Sequence, residues 1–156
     1  MRVTICAVGR LRAGPERDLI DDYATRFERT GRALNLTSLT ITEVEAKKGG
    51  GMAEEATLLE RALPANATLC CLDERGKLLS SPDLAGRIAN WRDDGVQDLA
   101  FVIGGADGID PNLRARADMT LSFGKMVWPH MLVRAMLTEQ LYRAASILSG
   151  GPYHRA

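Results

Sequence analysis

Three stretches of this chain combine residue types that could bind a ligand or move a proton. The first is Gly104-Gly105-Ala106-Asp107-Gly108, directly after the apolar run 99–103. Neighbouring glycines let a ligand approach the backbone closely, and the same composition also makes a plain tight turn. The second is Phe123-Gly124-Lys125-Met126-Val127-Trp128-Pro129-His130. Apolar loop residues ahead of a proline either wall a flat pocket of the kind adenine fits, or pack beneath the helix that follows. The third is the terminal Gly150-Gly151-Pro152-Tyr153-His154-Arg155-Ala156. Histidine exchanges protons near neutral pH and arginine holds phosphate, although chain ends are also where order usually fades.

Other chemistries are excluded by what is missing. Gly9 stands alone after the first apolar run, and the glycines at 104 and 105 are adjacent, so no G-x-G-x-x-G fingerprint exists. There is no G-x-x-x-x-G-K-[ST] phosphate loop and no G-x-S-x-G nucleophile elbow. The two histidines and the cysteines Cys6, Cys70 and Cys71 have no zinc-ligand spacing, so no metal is expected. An odd number of cysteines, all within apolar runs, reads as buried reduced thiols.

Charge is balanced, with 20 Lys+Arg against 20 Asp+Glu, which is not the footprint of bulk attraction to nucleic acid. The distribution is uneven. From Arg114 onward the chain carries Arg114, Arg116, Lys125, Arg134, Arg143 and Arg155 against Asp118 and Glu139. That bias reads either as an RNA-facing surface or as chance. The stretch 45–51 (EAKKGGG) likewise reads as a flexible connection or as a lysine loop that touches phosphate.

These candidate sites need elements to position them. The chain of 156 residues is expected to form a single domain over 1–156, with 46% hydrophobic residues and no run long enough to span a membrane. No signal-peptide pattern opens it, so a cytoplasmic protein is expected. Residues 2–8 (RVTICAV) predict a strand, and Leu19, Tyr23 and Phe27 give one apolar stripe on a helix over 15–30 that Gly31 should end. A strand with a bulge follows over 34–44, then a helix over 52–63. The run 68–72 (TLCCL) predicts a short strand buried on both faces, with Asp73 to Gly76 as a polar turn. Ser81-Pro82 predicts a helix cap, with Leu84, Ile88 and Trp91 on the inner face. Residues 99–103 form another strand, 111–117 a short helix behind Asp110, 119–123 the fifth strand, and 130–148 a helix apolar on more than one side. Strict β-α alternation argues for an α/β fold, a parallel sheet with helices on both faces. Ligands in such sheets bind at the carboxyl ends of strands, which points to the loops after Leu72, Ile103 and Phe123.

The stretches FVIGGADGI (101–109), LSFGKMVWPHMLVRAMLTEQLYRAASIL (121–148) and PYHR (152–155), with AVGRL (7–11) and LDERGKLLSS (72–81), resemble the bacterial large-subunit rRNA pseudouridine N3-methyltransferases, a family of the SPOUT class. The resemblance implies a C-terminal trefoil knot, a rare exception to unknotted chains. It implies S-adenosylmethionine as cofactor, bound by Leu72, Gly104, Gly105, Phe123, Gly124, Lys125, Met126, Val127 and Trp128. It implies a homodimer acting on 23S rRNA within the assembled ribosome, at N3 of a pseudouridine. Relatives carry Ser where Gly124 stands, which removes any side-chain role there. By the same resemblance the tail reaches the active site at the dimer interface, with His154 as base or proton relay and Tyr153 placing the uracil ring. Arg143 and Arg155 would hold RNA phosphate or the developing anion. The rival readings are a ribosome-binding dimer without cofactor, and a hydrolase or nucleotide-binding enzyme of the same fold class.

Overall fold

The computed structural model describes residues 1–155. Ala156, the last residue of the tail singled out above, lies outside them. Five strands alternate with five helices: β1 Arg2–Val8, α1 Pro15–Gly31, β2 Ser38–Val44, α2 Gly51–Ala62, β3 Thr68–Leu78, α3 Ser81–Asp93, β4 Asp98–Ile103, α4 Pro111–Ala115, β5 Met119–Ser122 and α5 His130–Ser149. The strands form one sheet in the order β2-β1-β4-β3-β5, and every pairing is parallel. The α/β expectation therefore holds.

The period-two alternation of strand side chains divides the core into two layers. Val3, Ile5, Ala7, Cys70, Leu99, Phe101 and Ile103 face α1, α3 and α5, meeting Phe27, Ile88, Leu137 and Leu141. Cys6, Val8, Leu69, Cys71, Ala100 and Val102 face α2 and α4, meeting Leu59 and Leu113. β1 and β4 are covered on both sides, which is why their sequences read as unbroken apolar runs. Each fully buried Leu, Ile or Phe contributes about 1.5–3 kcal/mol relative to exposure. Burial raises the thiols of Cys6 to about 11 and Cys71 to about 12, so they stay protonated, as expected of structural cysteines.

Several local expectations are corrected. Gly31 is the last residue of α1, as expected, but no strand follows at once: a single 3-10 turn, Arg32–Leu34, comes next and stops at Asn35 in the left-handed region (φ 62°). β2 accordingly begins at Ser38 rather than at residue 34. The stripe on α1 splits: Phe27 is buried with Ile20, whereas Leu19 is 44% exposed. The polar stretch Asp73 to Gly76 lies inside β3, as an irregularity where the register to β5 shifts between Leu72 and Lys77. The cap of α3 is Ser80, not Ser81. Its hydroxyl accepts from the Asp83 N–H at 3.1 Å while its own N–H donates to the Asp83 carboxylate at 3.3 Å, a complete capping box.

Candidate functional site

Because β3, β4 and β5 are neighbours, the loops that follow them meet. They enclose a cleft of about 330 Å³ at the carboxyl edge of the sheet. Its floor is the turn Gly104 to Gly108, tied by the Gly108 N–H to the Gly105 carbonyl at 3.0 Å. A Cβ added at Gly104 would lie 2.6 Å from the Gly108 carbonyl carbon, so this turn closes only with bare backbone at 104. One wall is Leu72 and Ile103, and the other is Phe123, Gly124, Met126, Val127 and Trp128. Met126 and Val127 are 72% and 83% exposed, an unusual display of apolar surface for a short loop. Trp128 fixes the loop by donating from its indole N–H to the Phe123 carbonyl at 3.3 Å. The Gly124 N–H donates to the Ser122 hydroxyl at 3.0 Å, and that hydroxyl also lies 3.0 Å from the Glu74 carbonyl, joining this loop to β3. Gly124 has φ 113°, where an L side chain is strained even though open space surrounds it. Lys125 belongs to the loop, but its exposed side chain does not line the cleft.

Of the polar groups at the rim, His130 closes a stretch singled out in the sequence, whereas Asp73 reads there only as part of a polar turn. Asp73 accepts from the Arg75 N–H and side chain at 2.8 and 3.0 Å and from Arg114 at 2.9 Å. Burial opposes its charge, but the bonds from Arg75 and Arg114 prevail and hold the carboxyl down at about 2. His130, at the start of α5, also lines the cleft, and burial followed by the Arg134 charge keeps its pKa low. Arg134 itself is 1% exposed, donating to Glu43 at 2.7 Å and to the Val8 and Gly9 carbonyls at 3.3 and 3.1 Å. It anchors the start of α5 to the end of β1. The sequence signal for it was a charge amid an apolar helical run, where only a paired role is sustainable.

The tail forms a second cluster. Glu139 Oε1 accepts from Arg143 Nε at 3.0 Å, from Arg143 Nη2 at 2.6 Å and from the Tyr153 hydroxyl at 2.8 Å. The Arg143 guanidinium lies over the Tyr153 ring, 4.6 Å from its centroid, and Tyr153 packs on Tyr142. Burial, then hydrogen bonds with Tyr23 and Glu139, raises the Tyr153 pKa, so the phenol stays protonated. Arg143 Nη1 meets His154 Nδ1 at 3.3 Å. A guanidinium only donates, so this contact requires Nδ1 to accept and the ring proton to sit on Nε2. Arg155 is exposed. Tyr153, His154 and Arg143 thus come together, around a Glu139 that the sequence reading passed over.

Within one chain the two clusters stay apart. His130 and Arg143 are 13 positions apart on α5, about 20 Å of helix. Between them runs an apolar groove of about 590 Å³ in which Leu19, Leu78, Leu132 and Met136 line the sides, Glu139 marks one end and Phe123 and Gly124 the other. Among the described residues no cluster could hold a metal ion, and no helix is long and apolar enough to cross a membrane.

A family model described as "Predicted SPOUT methyltransferase" matches residues 1–154. The chain is 72% identical over 155 residues to the ribosomal RNA large subunit methyltransferase H of Ruegeria pomeroyi, and 69% identical over 155 residues to the protein of that name from a second Ruegeria species. Each match covers 99% of this chain and 99% of the relative. Among solved structures it is similar to a probable methyltransferase from Bordetella pertussis, with TM-score 0.50 and 15% identity, over 92% of this chain and 95% of that chain. That likeness concerns the fold.

Proposed function

The chain belongs to the SPOUT methyltransferase family, and on that premise we propose that this rRNA large-subunit methyltransferase uses S-adenosylmethionine to methylate N3 of a pseudouridine in 23S rRNA. It works as a cytoplasmic homodimer on the assembled ribosome. The observation that carries the reading is the cleft where the loops of β3, β4 and β5 meet, floored by bare backbone and walled by exposed apolar side chains. That combination suits an adenosine: Leu72, Met126, Val127 and Trp128 would hold the ring, and backbone groups of the two glycine-bearing loops would supply its hydrogen bonds. The bound cofactor supplies an electrophilic methyl group on a sulfonium centre.

The protein's own work is alignment and proton management. Pseudouridine N3 becomes nucleophilic only when its imide proton leaves, and the charge that develops spreads onto the flanking carbonyl oxygens. Tyr153 stays protonated and places the ring. Arg143, oriented by Glu139, stabilises the anion, and the exposed Arg155 engages phosphate. With Nδ1 engaged by Arg143, His154 presents an N–H at Nε2. This supports a relay role, in which His154 donates a hydrogen bond from Nε2 to a carbonyl oxygen of the base while the imide proton passes to solvent water, and Nδ1 takes up a proton only after Arg143 releases it.

Because the cleft and the tail lie at opposite ends of α5, a working site needs the cleft of one subunit and the tail of its partner. The apolar groove between them, with Leu78 65% exposed, gives a second subunit the surface it needs. The trefoil knot is part of the same reading: β5 sits outside β3 while α5 returns across α3 to α1, a path compatible with it. The test is transfer of tritium from labelled S-adenosylmethionine to assembled ribosomes and to free rRNA, with the labelled nucleoside mapped. Label in N3-methylated pseudouridine, on ribosomes in preference to free rRNA, is the expected result. Label in another nucleoside, or none, overturns the proposal.

A further inference from the structure

Four of the six cations of the C-terminal third are paired in the fold, and Lys125 and Arg155 stay exposed. Arg114 pairs with Asp73 at 2.9 Å, Arg116 with Glu60 at 2.7 Å, Arg134 with Glu43 at 2.7 Å and Arg143 with Glu139 at 2.6 Å. Four further unengaged cations lie together on two loops at the carboxyl edge of the sheet. Arg10 and Arg12 follow β1, and Lys47 and Lys48 follow β2. All four are exposed, and among the described residues none has an ion pair or a side-chain hydrogen bond.

The fold sets these loops side by side and next to the cleft. β1 and β2 pair from Arg2↔Ser38 to Val8↔Val44, and the Gly9 N–H extends the ladder to the Val44 carbonyl at 2.8 Å. β1 also borders β4, whose loop is the cleft floor. Gly9 packs against His130, which lines the cleft; a Cβ at Gly9 would lie 3.4 Å from the imidazole Cε1. Two strand spacings, about 10 Å, separate the end of β2 from the end of β4. Among the acids nearby, Asp107 of the cleft floor is exposed, and those next to the two loops differ in their surroundings. Glu43 is bound by Arg134 and by the Leu11 N–H at 2.6 Å, and the Glu54 carboxylate covers Gly50, which leaves Glu45 as the exposed acid of the lysine loop. A Cβ at Gly49 would meet nothing within 4 Å, so this loop stands clear of the body.

We propose that the loops carrying Arg10, Arg12, Lys47 and Lys48 form a phosphate-binding rim that holds the rRNA backbone beside the methyl-transfer cleft. The proposal rests on the reading of ribosomal RNA as substrate. On these two loops four exposed cations stand beside Glu45, with Glu43 tied to Arg134, a net positive edge that complements a polyanion, and their place along one edge matches a strand that passes the cleft. An overall neutral protein thereby concentrates its RNA attraction where the reaction occurs.

The experiment compares two rim pairs, Lys47→Ala/Lys48→Ala and Arg10→Ala/Arg12→Ala, with a control pair, Arg29→Ala/Arg32→Ala. The control removes the same charge from exposed residues at the opposite, amino edge of the sheet. Methyl transfer to ribosomes is followed against salt, with S-adenosylmethionine affinity by calorimetry and folding by circular dichroism. Each rim pair is expected to raise the ribosome KM about tenfold and to lower the dependence of log KM on log salt by about 1.5, as two lost phosphate contacts require. kcat should stay within about twofold, and cofactor affinity and the control pair should be unchanged. Rim pairs indistinguishable from the control overturn the proposal, as does cross-linking of the Lys47 loop to a ribosomal protein instead of rRNA. A wild-type protein that labels no rRNA overturns the substrate reading itself, a result separable from the first because it needs no variant.

Discussion

Two residues make the clearest predictions. His154→Ala is expected to slow single-turnover methyl transfer by about a hundredfold or more, the range of positioned proton transfer, with cofactor affinity intact. An unchanged rate at saturating cofactor would remove His154 from the chemistry. Asp73 speaks to stability. Its folded pKa of about 2 lies below the ordinary 3.8, so its contribution is complete above about pH 4 and disappears as pH falls towards 2. The difference amounts to about 2 kcal/mol at neutral pH. Asp73→Asn should therefore melt earlier at pH 7 and show a flatter fall in melting temperature between pH 4 and 2. Parallel curves for the two proteins would mean that the Arg75 and Arg114 bonds do not stabilise the fold.

Among the elements, α3 offers a direct comparison of neighbouring serines. Ser80 closes the capping box with Asp83, whereas Ser81 donates to Gln140 on α5 at 2.7 Å. Ser80→Ala should cost about 1 kcal/mol and lower the melting temperature by about 2–4 °C. Ser81→Ala should leave the start of α3 intact in amide exchange and change only its contact with α5. The misplaced cap shows why such boundaries are hard to read. Ser80 and Ser81 both precede Pro82, proline is tolerated throughout the first helical turn, and only the Asp83 bond decides between them. α1 teaches a related lesson: Leu19, Tyr23 and Phe27 share a stripe in the sequence, but the sheet covers Phe27 and leaves Leu19 on the open groove.

For the whole molecule, the separation of cleft and tail along α5 makes the proposed dimer testable through activity. Gly104→Ala should close the cleft floor and abolish cofactor binding, because the new Cβ has no room against Gly108. His154→Ala leaves that cleft whole. Mixing the two inactive variants after subunit exchange should restore about one quarter of wild-type activity, since half of the dimers then pair an intact cleft with an intact partner tail. No recovery would mean that each tail serves its own chain.

The sequence by itself determined the α/β alternation, the buried strands and the three loops at the ligand-binding edge, because strand and helix periodicity and glycine placement are local properties. FVIGGADGI, the 121–148 run and PYHR also carried the family resemblance. Only the tertiary structure decided which charges are free. Four of the five arginines of the C-terminal third look like an RNA surface until Asp73, Glu60, Glu43 and Glu139 arrive from distant positions or an adjacent turn to neutralise them. Likewise, the sequence sets no distance between the Tyr153-His154-Arg155 tail and the cleft loops of the same chain. The rigid length of α5 holds them apart, and distance along a helix is a property of the fold, not of residue types.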